Sequence, residues 1–421
     1  MNSNSGAVPA SPPAVQASTS SPDGSNRPFV VGVISTSHFL NHVQSGIGGV
    51  LLPVMMSQMG FSYFELGLIS SVRELCASGM QVVYGVLAQY CRRSVLLGIT
   101  NNVLGLSAMV TGLTQSFEQV LGARAISGVG SSAQNPVGSV ILVTIFRKSK
   151  GNVLGLHRTA GNVGSLAAPL LAVGLLLYFD WRVIWMIVGI ASMIMGFVYF
   201  FFRDTMPRSD RVRAVGPRIS LSSYAACLKN REVLVVSAIQ MVGASGRSAG
   251  IDVTYFVPFF MAALDVDVTE AGLLLALLQL GGAVGPICLG WLSDRVNRRL
   301  VVSAVLLLST ITTLTLVVHS LVTPALVLNL LAYGAVVNAR GSLTQAMLAD
   351  AVPEEHTDAA FSLYFFIGFI SGPLWTALMG FIVDSRGFTT AFLVISLTYL
   401  MGIALLALIK AQRRPRDMLS V

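Results

Sequence analysis

The chain has 421 residues, 54% of them hydrophobic and 11% charged, with a net charge of +8. A soluble domain carries about 25% charged residues, so a string of soluble domains is excluded, having almost nothing polar to show to water. The basic balance of 27 Lys and Arg against 19 Asp and Glu would by itself admit a nucleic-acid partner, and the placement of the charges argues against one.

Residues 1–28 are rich in Ser, Pro, Ala and Asn, with only Asp23 and Arg27 charged. Such a stretch buries too little apolar surface to order itself and is expected to be a disordered tail. It has no basic run followed by a short apolar core, so no signal peptide is expected. Apolar stretches follow at 29–56, 62–88, 94–115, 118–146, 152–178 and 181–202. After the one long polar interruption, 203–232, a second set lies at 233–262, 269–292, 300–320, 323–347, 359–383 and 387–409. About 20 apolar residues span a bilayer as a helix, so each stretch is long enough to cross. A basic tail, 410–421, closes the chain. The four cysteines, Cys76, Cys91, Cys227 and Cys288, are too far apart for a metal motif or a disulfide framework.

Within the first stretch His38, Asn41, His42 and Ser45 recur at helical spacing and form one polar face, as expected of a helix that lines water. Imidazole titrates near neutral pH, so protonation linked to function and plain interhelical hydrogen bonding both stand for the histidines. Arg73 and Glu74 are neighbours in the second stretch. On a helix they point about 100° apart, and each is expected to find its own partner. Arg124 lies near one end of the fourth stretch, where it can snorkel. His157 and Arg158 lie near an end of the fifth, at a gate or lipid contact. In the second set Arg247 and Arg340 fall toward the middle of their stretches. The embedded bases are thus Arg73, Arg124, Arg158, Arg247 and Arg340, against two embedded acids, Glu74 and Asp252. Each arginine costs roughly 2.5–3.5 kcal/mol at mid-bilayer on insertion scales and is expected to face a cavity or a partner.

The two sets repeat. A shift of 205 aligns Pro53 with Pro258, Glu65 with Glu270, Gly67 with Gly272 and Gly85 with Gly290; a shift of 204 aligns Pro169 with Pro373, Asp180 with Asp384 and Arg182 with Arg386. Two halves in the same direction form a parallel repeat. With both termini cytoplasmic, the connections on that side and the tails hold twenty of the 27 bases, and those on the other side only Arg182 and Arg386. This is the positive-inside pattern. It makes the basic linker a topology signal that can touch anionic lipid, and no nucleic-acid partner is expected.

GWLSDRVNRR, residues 290–299, resembles the G-x-L-x-D-R-x-G-R-R signature of the major facilitator superfamily. With the repeat and the basic linker, the resemblance covers essentially the whole chain. It implies an all-α polytopic membrane protein of twelve transmembrane helices in two parallel six-helix repeats. It also implies that Gly290 permits close helix packing, while Asp294, Arg295, Arg298 and Arg299 make charge contacts that hold an inner gate. Asn297 stands where the signature has Gly, and Asn also enters left-handed turns. The first-half copy, GVLAQYCRRS at 85–94, has Gln89 in place of the acid that an ionic latch would use. More finely, SHFLNHVQSGIGGVLLPVM (37–55) and the stretch from GSSAQNPVG to GNVGSLAAPLL (130–171) look like the fosmidomycin-resistance exporter group, with Asn135-Pro136 in place of its His-Pro. Gly155, Gly164, Ala168 and Pro169 are a softened copy of the antiporter pattern, and this tilts the expectation toward export. Arg124, in ARAISGVG at 123–130, resembles the fourth-span motif that proton antiporters use in coupling.

The first and seventh spans line the central cavity in this superfamily, so the resemblance places His42 opposite Arg247, its equivalent in the repeat. A guanidinium binds carboxylate or phosphonate through two parallel hydrogen bonds. The expected substrate site is Arg247 and Arg340, with His42, Asn41 and His38. The competing reading has Arg247 neutralising Asp252 and Arg340 bonding backbone carbonyls. Asp252 and Glu74, with Arg73 and Arg124, are the candidates for proton coupling; static ion pairs are the competing reading. No metal or cofactor is expected, because no acid completes a ligand set with His38 and His42. The chain also lacks a G-x-x-x-x-G-K-[ST] motif, so ATP is not the direct energy source.

The expected function is proton-coupled transport of a small organic anion by alternating access, by a monomer in the plasma (inner) membrane and without enzymatic activity. The expected parts are a tail at 1–28, bundles at 29–202 and 233–409 about the linker 203–232, and a tail at 410–421. Proton-driven efflux of apolar or cationic drugs is the alternative. A non-transporting receptor or membrane-embedded enzyme is the reading from another class; it calls for a clustered catalytic constellation or a large soluble domain.

Overall fold

A computed structural model of the chain describes residues 27–146, 149–201, 221–243, 250–353 and 356–409. Regular structure among them is helical throughout. Arg247, most of the linker, and nearly all of both expected tails lie outside the described residues.

In the first half, α1 (Arg27–Gly46) and α2 (Gly48–Met59) are two limbs of one bent segment, with Pro53 inside α2. The interruption at Ile47 is slight, with helical φ −61° and ψ −26°, and Pro53 six residues later removes one hydrogen bond inside α2. Helix α3 (Tyr63–Tyr90) starts at a capping box: the Ser62 hydroxyl accepts from the Glu65 amide at 3.1 Å, and the Glu65 carboxylate accepts from the Ser62 amide at 2.8 Å. Helices α4 (Arg93–Leu113), α5 (Phe117–Ser131) and α6 (Ser139–Ile145) follow, with a π turn at Gln134–Gly138 between the last two. Pro136 sits in that turn, which is how a proline is absorbed without ending the segment. Helices α7 (Lys150–Leu176) and α8 (Trp181–Phe201) complete the half.

A short linker helix, α9 (Leu221–Lys229), precedes α10 (Arg231–Val242) and α11 (Ile251–Leu264), the second-half counterparts of α1 and α2. Helix α12 (Val268–Arg295) begins at Asp267, whose carboxylate accepts from the Glu270 amide at 2.8 Å. The repeated Glu65 and Glu270 thus occupy the same capped first turn. Helices α13 (Arg298–Leu316), α14 (Pro324–Asp350) and α15 (Thr357–Ala407) follow. Helix α15 is two limbs joined at Gly387, where φ is 79° and ψ 172°. That region is open essentially to glycine alone, and it lets the chain reverse at the boundary expected between 383 and 387.

Among the described residues seven helices are long and apolar enough to cross a membrane: α4, α7, α8, α12, α13, α14 and the two-limbed α15. The other expected crossings fall on α3, which carries Arg73 and Glu74, and on the interrupted pairs α1–α2, α5–α6 and α10–α11.

Packing repeats along with the sequence. In the first half α1 lies on α7, α3 on α5, and α4 on α8; in the second, α10 lies on α15, α12 on α14, and α13 on α15. Small residues make these approaches close: a Cβ at Gly189 would lie 2.6 Å from Cγ of Met109, and one at Gly282 would lie 2.7 Å from Nδ2 of Asn338.

The halves meet along α3 and α15, along α7 and α12, and along α2 and α11. The Ser71 hydroxyl donates to the Pro373 carbonyl at 2.7 Å, and the Tyr63 and Phe64 amides donate to the Asp384 carboxylate at 2.9 and 2.8 Å. The Tyr255 hydroxyl donates to the Tyr63 and Thr376 carbonyls at 3.2 and 2.7 Å. These contacts cluster toward the end of the bundle that carries the capped turns at Ser62 and Asp267. The opposite, basic end carries residues 290–299.

Candidate functional site

The polar face of α1 does not simply line water; it packs on α7. His38 and Asn41 are buried. Asn41 donates to the Ser131 carbonyl at 2.9 Å, and Nδ1 of His42 lies 2.8 Å from the Ser165 hydroxyl. The His38 ring centre is 4.7 Å from that of His42 and 3.9 Å from that of His157. Gly161 makes room for this cluster, since a Cβ there would fall 3.0 Å from Nε2 of both His38 and His42. His157, expected at a gate or lipid contact, is instead only 2% exposed. Its signal was the small face 157-161-165 of the fifth stretch, in helical register opposite the α1 histidines. Among the described residues no group of three His, Cys, Asp or Glu is arranged to hold a metal.

Closer to the capped end, a cavity opens where the halves meet. It is lined by Ser45 of α1, Gly48, Gly49 and Leu52 of α2, Leu66, Ser70 and Arg73 of α3, Arg124 of α5, and Val253 and Thr254 of α11. Arg73 is 7% exposed and Arg124 2%. Nη2 of Arg73 donates to the Ser45 hydroxyl, which itself donates to the Asn41 carbonyl at 2.8 Å. Arg124 does not snorkel: its guanidinium carbon lies 4.8 Å from the centre of the Trp185 ring. Nε of Arg73 and both Nε and Nη1 of Arg124 are buried without a hydrogen-bond partner among the described residues. The two arginines thus share one cavity.

Both embedded acids point elsewhere. Glu74 is buried on another face of α3, where a Cβ at Gly372 of α15 would lie 3.4 Å from its Oε1. Asp252, also buried, accepts from the Tyr333 hydroxyl at 2.8 Å, inside the second half. Arg340 is buried in the same half, with Nη2 3.4 Å from the Gly243 carbonyl and its guanidinium carbon 6.0 Å from the Tyr399 ring centre. Described contacts therefore gather His38, Asn41 and His42 on one wall, and Arg73 with Arg124 in the cavity. Arg340 stands with Asp252 and its neighbours.

At the basic end Arg298 bridges three groups. It donates to Asp294 at 2.8 Å, to the Ala346 carbonyl at 3.1 Å, and to Asp350. Arg299 donates to the Ile409 carbonyl at 2.7 Å, and Arg295 stacks 3.8 Å from the centre of the Trp291 ring. These contacts tie α12, α13, α14 and the end of α15 together within the second half. Asn297 has φ −59°, not a left-handed turn, and its side chain caps α13 by accepting from the Arg299 amide at 3.0 Å. Among the described residues a Cβ at Gly290 would meet nothing within 4 Å, so in this arrangement the signature glycine has no close neighbour among them.

The major facilitator superfamily profile matches residues 34–262 and 248–420. Among curated proteins, the chain is 23% identical over 286 residues to a probable sulfoacetate transporter, SauU, of Cupriavidus necator, covering 65% of this chain and 66% of that one. It is 22% identical over 371 residues to a probable L-galactonate transporter of Escherichia coli, covering 82% and 81%. It is 24% identical over 277 residues to the fosmidomycin resistance protein of Escherichia coli, covering 65% and 67%. Among solved structures, a bacterial homologue of the human lysosomal transporter Spinster superposes with a TM-score of 0.75 at 16% identity, over 93% of this chain and all of that one.

Proposed function

The chain belongs to the major facilitator superfamily, and from that premise we propose that it moves a small organic anion by proton-coupled alternating access. It is a membrane transporter and not an enzyme. The observation that carries the substrate class is the buried cationic surplus. Arg73, Arg124 and Arg340 are all more than nine-tenths buried, while Glu74 and Asp252 both point away from the cavity that Arg73 and Arg124 share. A buried charge is tolerated when it faces a cavity or partner, and a shared cavity with surplus positive charge favours a negative passenger. Two relatives named for sulfoacetate and L-galactonate, both organic anions, support the same class.

In this reading the chain crosses the plasma (inner) membrane twelve times as a monomer, in bundles 29–202 and 233–409, with both termini cytoplasmic. The basic end faces the cytoplasm by the positive-inside rule, and the cross-half contacts at the capped end keep the cavity closed to the outside. Arg247, Arg340, His42, Asn41 and His38 line the passenger's path. Asp252 and Glu74 carry the coupling proton, and Arg73 and Arg124 link its movement to that of the passenger. Gly290, Asp294, Arg295, Arg298 and Arg299 form the inner gate when the basic ends come together. Likeness to the fosmidomycin resistance protein favours a second reading of direction, export of an anionic toxic compound.

Proteoliposomes test the proposal. With an imposed pH gradient, uptake is measured for a panel of carboxylates, sulfonates and phosphonates beside lipophilic cations. Gradient-driven movement of at least one anion, weakened in Arg340→Gln or Arg247→Gln, is expected. Movement of lipophilic cations alone would overturn it.

A further inference from the structure

Resting on the anion reading, the geometry points to a specific seat for the passenger's charged head: the cavity between Arg73 and Arg124, closed on the far side by Thr254 of the other half. Buried polar groups in proteins are nearly always hydrogen-bonded. Here three guanidinium nitrogens, Nε of Arg73 and Nε and Nη1 of Arg124, are buried with no hydrogen-bond partner among the described residues, and both side chains border the same cavity. Among the described residues no carboxylate forms an ion pair with either arginine: Glu74 acts on Arg73 only through its nearby charge and packs toward Gly372, and Asp252 bonds Tyr333.

Two like charges in a low-dielectric cavity repel, and each retains donors set in a planar fork. The group that answers both needs is a compact oxyanion with acceptor oxygens on more than one side: a carboxylate, sulfonate or phosphonate head. A Cβ at Gly48 would stand in contact with Arg124, 3.4 Å from its Nη2, so a long side chain there would crowd the guanidinium, and Ser45 and Ser70 add polar groups to the wall.

The seat also explains how binding can be felt by both halves. At its edge the first half approaches α11 so closely that a Cβ at Gly49 would lie 2.8 Å from the Val253 carbonyl. An anion held by Arg73 and Arg124 therefore sits against the seam, where its charge offsets the repulsion between the arginines. A cation or an apolar compound gains neither interaction.

The experiment uses the full chain in proteoliposomes, with Thr254→Cys introduced and Cys76, Cys91, Cys227 and Cys288 changed to Ser. The rate at which a cationic methanethiosulfonate reagent modifies the new thiol is measured with and without methylphosphonate or acetate. The oxyanions are expected to slow modification, and tetramethylammonium to leave it unchanged. The concentration giving half-protection is expected to rise about 10-fold or more in Arg73→Gln and Arg124→Gln, as for loss of a charge-assisted bonding group, with part of the effect retained in Arg124→Lys. In protein with both arginines intact, methylphosphonate should also change Trp185 emission, identified by its loss in Trp185→Phe. Protection unaltered by both Gln substitutions overturns the seat, as does absence of protection and emission change with the arginines intact. Anion uptake that persists unchanged in both Gln variants sinks the seat alone; a protein that moves only cations sinks the anion reading itself.

Discussion

Arg124 of α5 rests its guanidinium 4.8 Å from the ring centre of Trp185 of α8, and both side chains are buried. An arginine placed there by sequence could have reached for the membrane surface; the indole holds it inside. A desolvated cation–π contact is worth about 2 kcal/mol. Trp185→Leu should therefore weaken anion handling by up to roughly 30-fold in half-saturating concentration, whereas Trp185→Phe, which keeps an aromatic face, should lose less. Transport kinetics on the two variants distinguish this from plain packing loss, which would lower thermal stability in both without separating their affinities.

Gly161 leaves the room that the histidine cluster occupies. A Cβ there would press on the imidazoles of His38 and His42 together, and overpacking typically costs about 1–3 kcal/mol. Gly161→Val should lower the thermal midpoint by several degrees and reduce gradient-driven uptake. A variant as stable and active as the parent would show that the rings can move apart freely.

Gly387 and Gly290 make a matched pair of controls. Among the described residues a Cβ would meet nothing within 4 Å at either position, so a difference between them is expected from the backbone or from another state. At Gly387 the positive φ makes Gly387→Ala cost about 1–3 kcal/mol, seen as a lower thermal midpoint. At Gly290, inside a helix, alanine is the better helix former by about 1 kcal/mol, so Gly290→Ala should hold or raise the midpoint. If the basic ends close during transport, Gly290→Ala should nevertheless slow turnover; unchanged turnover would count against a gate at that glycine.

Asp294 and Asp350 flank Arg298, with their side chains 71% and 57% exposed. Exposed ion pairs contribute about 0–1 kcal/mol. Asp294→Asn and Asp350→Asn should each leave the thermal midpoint nearly unchanged in physiological salt. A loss of many degrees in either would mean that the cluster supports the second half far more than its exposure allows.

Asp252 and its partner Tyr333 test coupling. If the carboxylate carries the proton, Asp252→Asn should abolish accumulation driven by a pH gradient while anion exchange across the membrane persists. Tyr333→Phe removes the 2.8 Å hydrogen bond but keeps the carboxylate, so it should shift the pH dependence of uptake without abolishing it. Equal loss of exchange and accumulation in Asp252→Asn would make the residue structural.

Much of the fold was legible in the chain itself, because a bilayer leaves few options: apolar stretches of crossing length must be helical to satisfy their own backbones. The parallel repeat was legible as well, since Glu65 and Glu270 both sit in a capped first turn, and Pro53 and Pro258 both lie inside the short helices α2 and α11. The boundary between 383 and 387 was visible for a similar reason, with Gly387 supplying the reversal. Local chemistry also marked which charges are embedded. It could not say which way they face, because side-chain direction depends on which helix lies opposite. Sequence placed Arg73 and Glu74 about 100° apart; only the packing of α3 between α5 and α15 gave Arg73 the cavity and Glu74 the seam with Gly372. Likewise the spacing of His38 and His42 suggested a water-lining face, and the approach of α7 at Gly161 turned it into a buried cluster that includes His157. The surplus of arginine was determined by the sequence. That two of these arginines, from different helices, meet without an acid between them was decided by the tertiary structure, because only packing brings residues 73 and 124 to one cavity.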